Sequence, residues 1–597
     1  MRVYLGLAVK SQGAEIPRPV LELARAAIRD SFPVPPETIR AKEWHRPGVS
    51  LLAWTNEPDD RRQPPMLLEG DNGRVVGVGG YLAAPREADR LLTAERLGEA
   101  ADGLGGCFAA FRAADGELAA ATTITRVCPV FYAETPDLHV VGSRALLVHM
   151  VAQGRIRWDV LALEMMIRQG HFMSDETPYQ GVSALPPASS ITIAGGRRTI
   201  SRADLPEALP APTRRRDKRA AITALGEALL ATIEPLRNAP EPVNLALTGG
   251  RDSRLMAALL HAARIPFRAT TNGLDDHPDV ILARRIAEEL GIDHNVIPPK
   301  QSPRRDAILV EHPLRRAHEV LRTCEGMCSA FESIVGYLPY STKPSMSGQS
   351  GEILRGGSYL LLSKDLSPRT LRRRLELTFL RESQLFTKEA NEHARALAAP
   401  WQAMENPLTA IEQTYVSFKV GRWHAAARTG SLRRGDQITP FHDNHVVRLA
   451  MSMDPLWRRS EEVVHELIRM FAPRLLRIPV DGKQWRFLAD RPRRPWRRNP
   501  PEPLVRPPSK GGWNWRTSPG PELSGVLGEF VLKHADVLAP IVEVDQLRLL
   551  FKEPVVAKPQ LAWHLYTVAA LLTGLFPGPL PGDLGQIRVP VPVDDPA

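Results

Sequence analysis

The sequence predicts an α/β protein with two domains, an antiparallel β-sheet domain followed by a parallel α/β domain with extra helices. Short segments of strand character, separated by Gly, Asp and Pro, fill residues 1–205. Strands alternate with amphipathic helices from Ala220, which is typical of a parallel sheet. A stretch rich in Pro and charge, 206–219, separates the two patterns. We therefore expect domains at 1–205 and 220–597, joined by a linker.

In the first domain the strand candidates alternate or are apolar and end at turn residues. They are MRVYLGLAV, GRVVGVGGYLAA, GGCFAAFRAADGELAAATTI, CPVFYAETPDLHVVGS and SSITIAGGRRTIS. Apolar residues three and four apart predict one helix over EADRLLTAERLGEAADGL. Further helical pieces are ALLVHMVAQG and DVLALEMMIRQG.

The second domain opens with a strong amphipathic helix, AAITALGEALLATIEPLR. A strand, a glycine turn and a helix follow within VNLALTGGRDSRLMAALLHAA, and FRATTNG, HPDVILARRIAEELG and HNVIP continue as strand, helix and strand. The remainder, from about residue 360, reads as mostly helical.

Composition narrows the classes of protein to consider. The chain has 597 residues, 43% hydrophobic and 24% charged, which is ordinary for a globular protein. It has no membrane-length apolar run, and we expect no signal peptide from the short apolar run at its start. Its four cysteines are too few for a disulfide framework, so we expect a reduced, cytoplasmic protein, with Cys324 and Cys328 as buried thiols and not zinc ligands. The net charge of +10 is concentrated in a few Arg-rich segments, so we expect neither a membrane nor a nucleic-acid partner.

The glycine turn TGGRDSR carries the clearest chemistry. It lacks the lysine of a Walker A loop and the spacing of a dinucleotide fingerprint. Gly249 and Gly250 let backbone amides approach phosphate oxygens, and Thr248 and Ser253 add hydroxyl donors. Asp252 would repel a phosphate unless it holds Mg²⁺. A glycine-capped strand–helix turn without a ligand is the alternative.

The turn resembles the pyrophosphate loop, S-G-G-x-D-S, of the ATP pyrophosphatases, with Thr248 in place of the first serine. Those enzymes cleave ATP between the α and β phosphates and transfer AMP to a substrate oxygen. The resemblance implies an adenine nucleotide α-hydrolase-like domain that binds ATP and Mg²⁺. Leu247, Thr248, Gly249, Gly250, Asp252 and Ser253 would form the ATP and pyrophosphate site.

Three later segments resemble asparagine synthetases: SMSGQSGEILRGGSY, TPFHDNHVVRLAMSMD and LLRIPVDGKQWRF. The first implies that Ser347 and Gly348 lie near AMP and that Glu352 shares the Mg²⁺ site with Asp252. The third implies that Lys483 is the catalytic lysine, which stabilises pyrophosphate and the transition state. Asp252, Glu352 and Lys483 are therefore the expected catalytic residues.

The first domain resembles the glutaminase domain of the same family, an Ntn-type stack of antiparallel sheets. The matching segments are LGGCFAAFRAADG, CPVFYAETPDLHVVGS and GVSALPPASSITIAGG. Glutaminases of this class use a cysteine at position 2 as nucleophile, whereas this chain has Arg2. Arginine cannot replace a thiolate nucleophile. We therefore expect an inactive domain that serves as a scaffold.

Without glutamine-derived ammonia, the nucleophile is an amine already on a substrate. Lasso peptide cyclases and β-lactam synthetases both fit this description, and an ammonia-using asparagine synthetase is a further alternative. Gln349 lies in the expected substrate pocket, where asparagine synthetases have Glu and β-lactam synthetases have Tyr. A neutral Gln is no general base. The remote alternatives are a tRNA-modifying pyrophosphatase and a peptide-binding descendant without catalysis.

Among these, the sequence favours macrolactam closure of a lasso peptide precursor. The basic, Pro- and Trp-containing segment after Lys483 is long enough to cover a peptide, and LAWHLYTVAALLTGLF resembles the last helix of lasso cyclases. The expected substrate is a peptide or a small molecule that carries a carboxylate and an amine. The resemblance to lasso cyclases also implies two protein partners, a leader-binding protein and a protease of the same pathway. The substrate, the ring size and the base that deprotonates the amine stay open.

Overall fold

The structure is a computed structural model of the chain. It describes residues 1–58, 64–71, 73–299, 306–334, 336–482, 484–489, 514–576, 578 and 580–591. The predicted fold class is confirmed. Two six-stranded antiparallel sheets form the first part of the chain, and a five-stranded parallel sheet with helices forms the second.

Twelve strands of the first part form the two antiparallel sheets. They are β1 (Arg2–Val9), β2 (Arg40–Arg46), β3 (Val49–Thr55), β4 (Leu68–Glu69), β5 (Val75–Leu82), β6 (Gly106–Ala114), β7 (Glu117–Thr122), β8 (Phe131–Glu134), β9 (Leu138–Gly142), β10 (Ser183–Ala184), β11 (Ser189–Ala194) and β12 (Arg197–Arg202). The strand orders are β10-β8-β9-β1-β3-β2 and β12-β11-β7-β6-β5-β4. Because β1 and β6 are inner strands, almost all of their residues are buried.

The inner faces of the two sheets pack against each other. Tyr4 of β1 stacks on Phe111 of β6 with ring centroids 5.2 Å apart. Its hydroxyl donates to the carbonyls of Met66 and Val78, at 2.9 and 3.1 Å. A buried tyrosine whose hydroxyl has partners stabilises such a core without leaving a polar group unsatisfied.

Helices of the first part differ from the prediction at two places. They are α1 (Arg18–Ser31), α2 (Ala88–Thr93), α3 (Leu97–Asp102), α4 (Ala145–Gln153) and α5 (Leu163–Gln169). The periodicity did not single out α1. The single helix predicted over 87–104 is two, because the buried Arg112 binds the carbonyls of Ala94 and Glu95 and so takes acceptors that a continuous helix needs.

The second part is built on a parallel sheet of order β15-β14-β13-β17-β18. Its strands, with the separate antiparallel pair β16 and β19, are β13 (Val243–Ala246), β14 (Phe267–Asn272), β15 (His294–Ile297), β16 (Ala307–Val310), β17 (Ser341–Met346), β18 (Gly435–Ile438) and β19 (Ile587–Pro590). The predictions of β13 to β15 are confirmed. β17 and β18 were missed because STKPSM and GDQI contain few apolar residues.

Helices surround this sheet and fill the end of the chain, as predicted. They are α6 (Arg215–Thr232), α7 (Arg251–Ala262), α8 (Pro278–Leu290), α9 (Pro313–Cys324), α10 (Gly357–Leu361), α11 (Pro368–Phe379), α12 (Lys388–Gln402), α13 (Pro407–Thr414), α14 (Ala425–Leu432), α15 (Asn444–Ser452), α16 (Pro455–Arg459), α17 (Glu462–Phe471), α18 (Arg486–Ala489), α19 (Gly520–Lys533), α20 (Ala535–Leu538), α21 (Val544–Leu550) and α22 (Pro559–Leu572). A π-helix, Tyr415–His424, joins α13 to α14.

One hydrophobic core contains residues of both parts. Asn444 of α15 also donates to the carbonyls of Asp102 and Leu104, at 2.7 and 3.2 Å. β12 ends at Arg202 and α6 begins at Arg215, while the exact domain limits at 205 and 220 stay a prediction. In the described part of the chain, no helix combines the length and apolar character needed to cross a membrane.

Candidate active site

The glycine turn connects β13 to α7 at the carboxyl edge of the parallel sheet. Turns that follow β17 and β18 meet it at the same edge, where ligands usually bind in sheets of this kind. The Thr248 and Ser253 hydroxyls lie 3.0 Å apart, so they bond each other across the turn. The Gly250 amide donates to the Thr248 hydroxyl at 3.3 Å. The turn is thus closed on itself and presents the N-terminus of α7 to a ligand.

Neighbouring elements fix the first residues of the turn. The Gly249 amide donates to the Asp279 carboxylate of α8 at 2.8 Å. The Leu247 amide donates to the carbonyl of Thr270 at 3.0 Å, and the Leu247 side chain is fully buried. These bonds hold the turn in place, while the contact of Leu247 with a nucleotide stays a prediction.

Asp252 has one carboxylate oxygen in use and one without a partner. Arg355 donates to Oδ2 at 2.5 Å. Oδ1 is buried and has no hydrogen-bond partner among the described residues. Burial raises the pKa of Asp252 to about 6 against the opposing effect of Arg355. A buried oxygen without a partner is rare and marks a position that a cation or a proton completes.

The predicted Ser347–Glu352 segment packs directly on this carboxylate. A Cβ atom at Gly351 would lie 2.2 Å from Asp252 Cγ, and one at Gly348 would lie 3.0 Å from the Ser253 amide nitrogen. Such distances leave no room for a side chain at either position. The sequence therefore needs glycine at both positions for the second turn to reach the first.

Glu352 begins the short 3-10 turn Gly351–Arg355. Its charge interacts with that of Asp252 and raises the pKa of Asp252 further. The structure thus brings together the two carboxylates that the sequence assigned to a metal site, although they come from segments about 100 residues apart.

The residues present fit Mg²⁺. The donor set consists of carboxylate oxygens, and Asp252 Oδ1 is available. In the described residues no group of three or more His, Cys, Asp or Glu side chains is arranged to hold a metal. Mg²⁺ commonly binds through one or two carboxylates together with substrate phosphates, so a two-carboxylate site suits this ion.

Sequence reasoning missed a charged cluster beside this site. Glu461, which is buried, lies 3.1 Å from Arg251 Nε and 4.0 Å from Arg355 Nη1. Arg251 also lies over the ring of Trp485, 4.9 Å from its centroid. Glu461 therefore fixes two arginines that flank Asp252. Glu461 has a positive φ of 70°, which is uncommon for a residue other than glycine. This backbone conformation marks the residue in the structure but cannot be seen in the sequence.

The segment before Lys483 is tied to the glycine turn. Arg254 donates to the carbonyls of Ile478, at 2.8 Å, and Pro479. The Asp481 amide donates to the carbonyl of Gly249 at 3.3 Å. Lys483 itself lies outside the described residues, as does most of the basic segment 486–510. Its role stays a prediction.

Gln349 is half-buried between Gly348 and Ser350 in the second turn, and its backbone N–H donates to the Ser347 hydroxyl at 3.2 Å. Ser350 follows with a positive φ of 67°, and its hydroxyl bonds His442 Nε2 at 2.8 Å. The assignment of Gln349 to a substrate pocket stays a prediction.

In the first domain, Arg2 is part of a closed ion pair. Its Nε and Nη2 donate to Glu57 at 3.0–3.2 Å, and its Nη1 donates to the carbonyls of Pro64 and Pro65, at 2.8 and 3.2 Å. The N-terminal amine donates to Asn56 Oδ1 at 3.0 Å. Charged groups therefore occupy the position at which the resembling glutaminases have a nucleophile.

A cavity of about 80 Å³ lies next to Arg2 and also touches Cys128. Cys128 is 126 positions from Arg2 in the chain but close to it in space. Its thiol donates to the carbonyl of Cys107 at 3.5 Å. The bond with the Cys107 thiol and burial raise the pKa of Cys128, so this cysteine is a protonated and inert thiol. Cys324 and Cys328 are also buried.

The candidate site thus combines a glycine turn before a helix, two carboxylates and the carboxyl edge of a parallel sheet. Residues 224–477 match the family model of asparagine synthase. The matched range contains Asp252, Glu352 and every other predicted site residue except Lys483. It covers less than half of the chain. At the level of that family, the match indicates ATP-dependent amide formation and supports the predicted resemblance of the second domain.

The similarity to solved structures is low. The glutamine phosphoribosylpyrophosphate amidotransferase of B. subtilis, complexed with ADP and GMP, is 11% identical over 58% of this chain and 81% of that one, with a TM-score of 0.23. An allosteric regulatory enzyme of purine biosynthesis is also 11% identical, over 52% of this chain and 65% of that one, with the same TM-score of 0.23. No curated protein matches the sequence significantly.

Proposed function

We propose that this protein is an AMP-forming amide synthetase that adenylates a substrate carboxylate and joins it to an amine. The observation that carries this proposal is the buried Asp252 oxygen without a partner, at the N-terminus of α7 and beside Glu352. A nucleotide with Mg²⁺ supplies what this position lacks. Asparagine synthases generally use ATP and Mg²⁺, which supports the same assignment.

In the proposed reaction the chain's residues position two substrates. Backbone amides of the glycine turn and the N-terminus of α7 hold the phosphates. Asp252 and Glu352 hold Mg²⁺, which neutralises phosphate charge when bound. A carboxylate oxygen attacks the α-phosphorus, and the bond to pyrophosphate breaks. An amine then attacks the acyl carbon, loses a proton and displaces AMP. Lys483 offsets the negative charge that develops.

At the finer level, we propose macrolactam closure of a lasso peptide precursor. Arg2 and its ion pair support a synthetase that receives its amine from the substrate. The neutral Gln349 supports a site unlike those of asparagine and β-lactam synthetases. Proximity of the amine and the acyl group within one molecule supplies much of the rate enhancement in such a reaction. A leader-binding protein and a protease are the proposed partners.

The experiment is ATP–pyrophosphate exchange with the full-length protein and Mg²⁺. Free aspartate, small β-amino acids, and peptides with a free N-terminus and one internal Asp or Glu are compared. We expect exchange with peptides alone and a product that is lighter by one water. Asp252→Ala and Lys483→Met should each lower exchange at least about a hundredfold. The control is Lys388→Met, because Lys388 is exposed on α12 and should keep wild-type rates.

Each outcome decides between functions. Exchange with aspartate alone contradicts the macrolactam proposal and indicates an ammonia-using asparagine synthetase. Exchange with a small β-amino acid alone indicates a lactam synthetase. Absence of exchange with every carboxylate contradicts the amide synthetase itself. Full activity of Lys483→Met or Asp252→Ala would show that the corresponding residue is assigned wrongly.

A further inference from the structure

The π-helix Tyr415–His424 lies beside the candidate active site. Tyr415, its first residue, contacts the ring of Tyr359 at 5.7 Å and interacts electrostatically with Glu352 and Asp252. π-Helical segments are rare and occur mostly as single turns at functional sites, so a run of ten residues is unusual. The wider turn changes which side chains face the site, and Lys419 lies in its middle.

Lys419 forms no ion pair and no hydrogen bond with the residues that the structure describes. Its Nζ lies 3.6 Å from the centroid of the Trp423 ring, and the residue is half-buried. An aromatic face stabilises an ammonium but leaves its charge uncompensated. A half-buried cation of this kind favours the binding of an anion.

The surroundings of Lys419 are polar and also contain groups without a hydrogen-bond partner among the described residues. Four ring nitrogens nearby are buried and lack a hydrogen-bond partner in the part of the chain that the structure describes: Trp423 Nε1, His171 Nε2, His424 Nδ1 and His564 Nε2. All three histidines interact electrostatically with Lys419. Burial lowers the pKa of His424 to about 3 and that of His564 to about 4, so both are neutral. The Lys419 ammonium is thus close to several neutral polar groups.

This polar region connects to the second turn of the active site. His424 lies 5.9 Å from His442, ring to ring, and His442 bonds the Ser350 hydroxyl. Ser350 precedes Gly351 and Glu352. Two carboxylates act on Lys419 electrostatically without pairing with it, Glu332 and, more weakly, Glu352. Glu352 therefore interacts with Asp252 on the metal site and with Lys419 on the π-helix.

We propose that Lys419 binds the substrate carboxylate that becomes adenylated. This inference rests on the proposed function. A carboxylate that approaches the α-phosphate meets the triphosphate together with Asp252 and Glu352, and like charges at a few ångströms repel strongly in a buried site. Lys419 supplies a cation on this approach path. Trp423 holds the ammonium in place, and the neutral ring nitrogens donate to or accept from the polar part of the acceptor.

The first experiment measures binding without turnover. Wild-type protein is acetylated by acetic anhydride in the absence of ATP, and mass spectrometry follows Lys419. The probes are the amides of N-acetyl-aspartate and N-acetyl-glutamate, each with one side-chain carboxylate. The corresponding Asn and Gln compounds are the uncharged controls. We expect the carboxylates to slow acetylation of Lys419 about threefold or more at saturation, with the exposed Lys388 unaffected. Equal rates with acids and amides would overturn the proposal.

The second experiment separates binding from chemistry. With the peptide that supports ATP–pyrophosphate exchange, Lys419→Met should raise KM for the peptide about tenfold or more and leave KM for ATP unchanged. Lys419→Arg, which keeps the charge, should restore most of the loss, and Lys388→Met should change neither constant. An unchanged peptide KM in Lys419→Met contradicts the proposal. If the wild-type protein exchanges no pyrophosphate at all, the proposed function fails, while the acetylation experiment still decides whether Lys419 binds a carboxylate.

Discussion

An arginine pairs with a carboxylate both in the Arg2 region and at the glycine turn, but the two carboxylates are completed differently. Arg2 uses its donors on Glu57 and on the carbonyls of Pro64 and Pro65. Asp252, paired with Arg355, keeps Oδ1 without a partner among the described residues. The first arrangement is satisfied by the fold itself, whereas the second is completed only by something the chain does not contain.

This difference separates structure from chemistry within one molecule. A satisfied buried ion pair contributes to a unique fold and needs no ligand. An unsatisfied carboxylate costs free energy in the empty protein, and that cost is recovered when a cation binds. The comparison therefore predicts that substitutions in the Arg2 region change stability and leave catalysis intact, whereas substitutions near Asp252 change catalysis first.

The largest effect on catalysis is expected from Gly351→Ala, which would displace the Asp252 carboxylate. The new Cβ atom would lie 2.2 Å from Asp252 Cγ, so the carboxylate must move by more than 1 Å to reach ordinary contact. Misplacement on that scale costs about a hundredfold in rate, and we expect at least this loss in kcat/KM for pyrophosphate exchange. The measurement is steady-state exchange across a range of Mg²⁺ concentrations.

Gly525→Ala on α19 is the matched control, because Gly525 is exposed and nothing lies within 4 Å of its Cβ position. Thermal unfolding of both variants distinguishes a displaced carboxylate from a damaged fold. If Gly351→Ala keeps wild-type exchange and Mg²⁺ dependence, Asp252 does not act where we place it.

The site was predictable from sequence to the extent that its residues lie in short segments. Thr248 to Ser253 form one turn, and Ser347 to Glu352 form another, so the motifs alone identified both. Glu461, Arg355 and Lys419 could not be found in this way. Their contribution depends on packing between segments far apart in the chain, and no local spacing reports such contacts.

The fold shows the same limit. β13, β14 and β15 have buried apolar positions and were predicted, whereas β17 and β18 are short, polar and held in the sheet by their neighbours. Tertiary context overrides local propensity in strands of this kind. The break between α2 and α3 likewise follows from Arg112, a side chain on another element.

The Arg2 region provides the converse test. Arg2→Met removes the guanidinium that donates to both carboxylate oxygens of the buried Glu57, at 3.0–3.2 Å. We expect a loss of about 3 kcal/mol in the free energy of unfolding, because a buried charge that loses its partner is strongly destabilising. kcat/KM for exchange should stay within about twofold of wild type at temperatures where the variant is folded.

Urea denaturation measures the loss, and the double variant Arg2→Met/Glu57→Gln checks its cause. Removing both charges should recover much of the stability, because the buried carboxylate that lost the Arg2 guanidinium is then neutral. A large drop in kcat/KM with unchanged stability would indicate that the first domain takes part in the chemistry, and the contrast between the two regions would fail.

The last contrast concerns how the first domain is held against the second. His393 of α12 lies between two carboxylates of the first domain, with Nδ1 3.1 Å from Glu164 and Nε2 2.8 Å from Glu176. Burial alone lowers the pKa of His393, but the bonds with both carboxylates outweigh burial and raise it to about 10. Since the folded protein holds this proton more tightly than the unfolded chain, the stabilisation is complete below about pH 6.5 and is lost as the pH rises towards 10.

We therefore expect the free energy of unfolding to fall between these pH values by at most about 1.4 kcal/mol per pH unit from this group. His393→Gln should remove that slope, whereas His45→Gln, at an exposed histidine beside Glu43, should retain it. Urea denaturation at several pH values measures both. An unchanged slope in His393→Gln would show that this proton does not hold the domains together. At a pH where both variants are folded, their exchange activities should be equal. The His393 contact is structural, and its hydrogen bonds are satisfied within the fold, as those of Arg2 are.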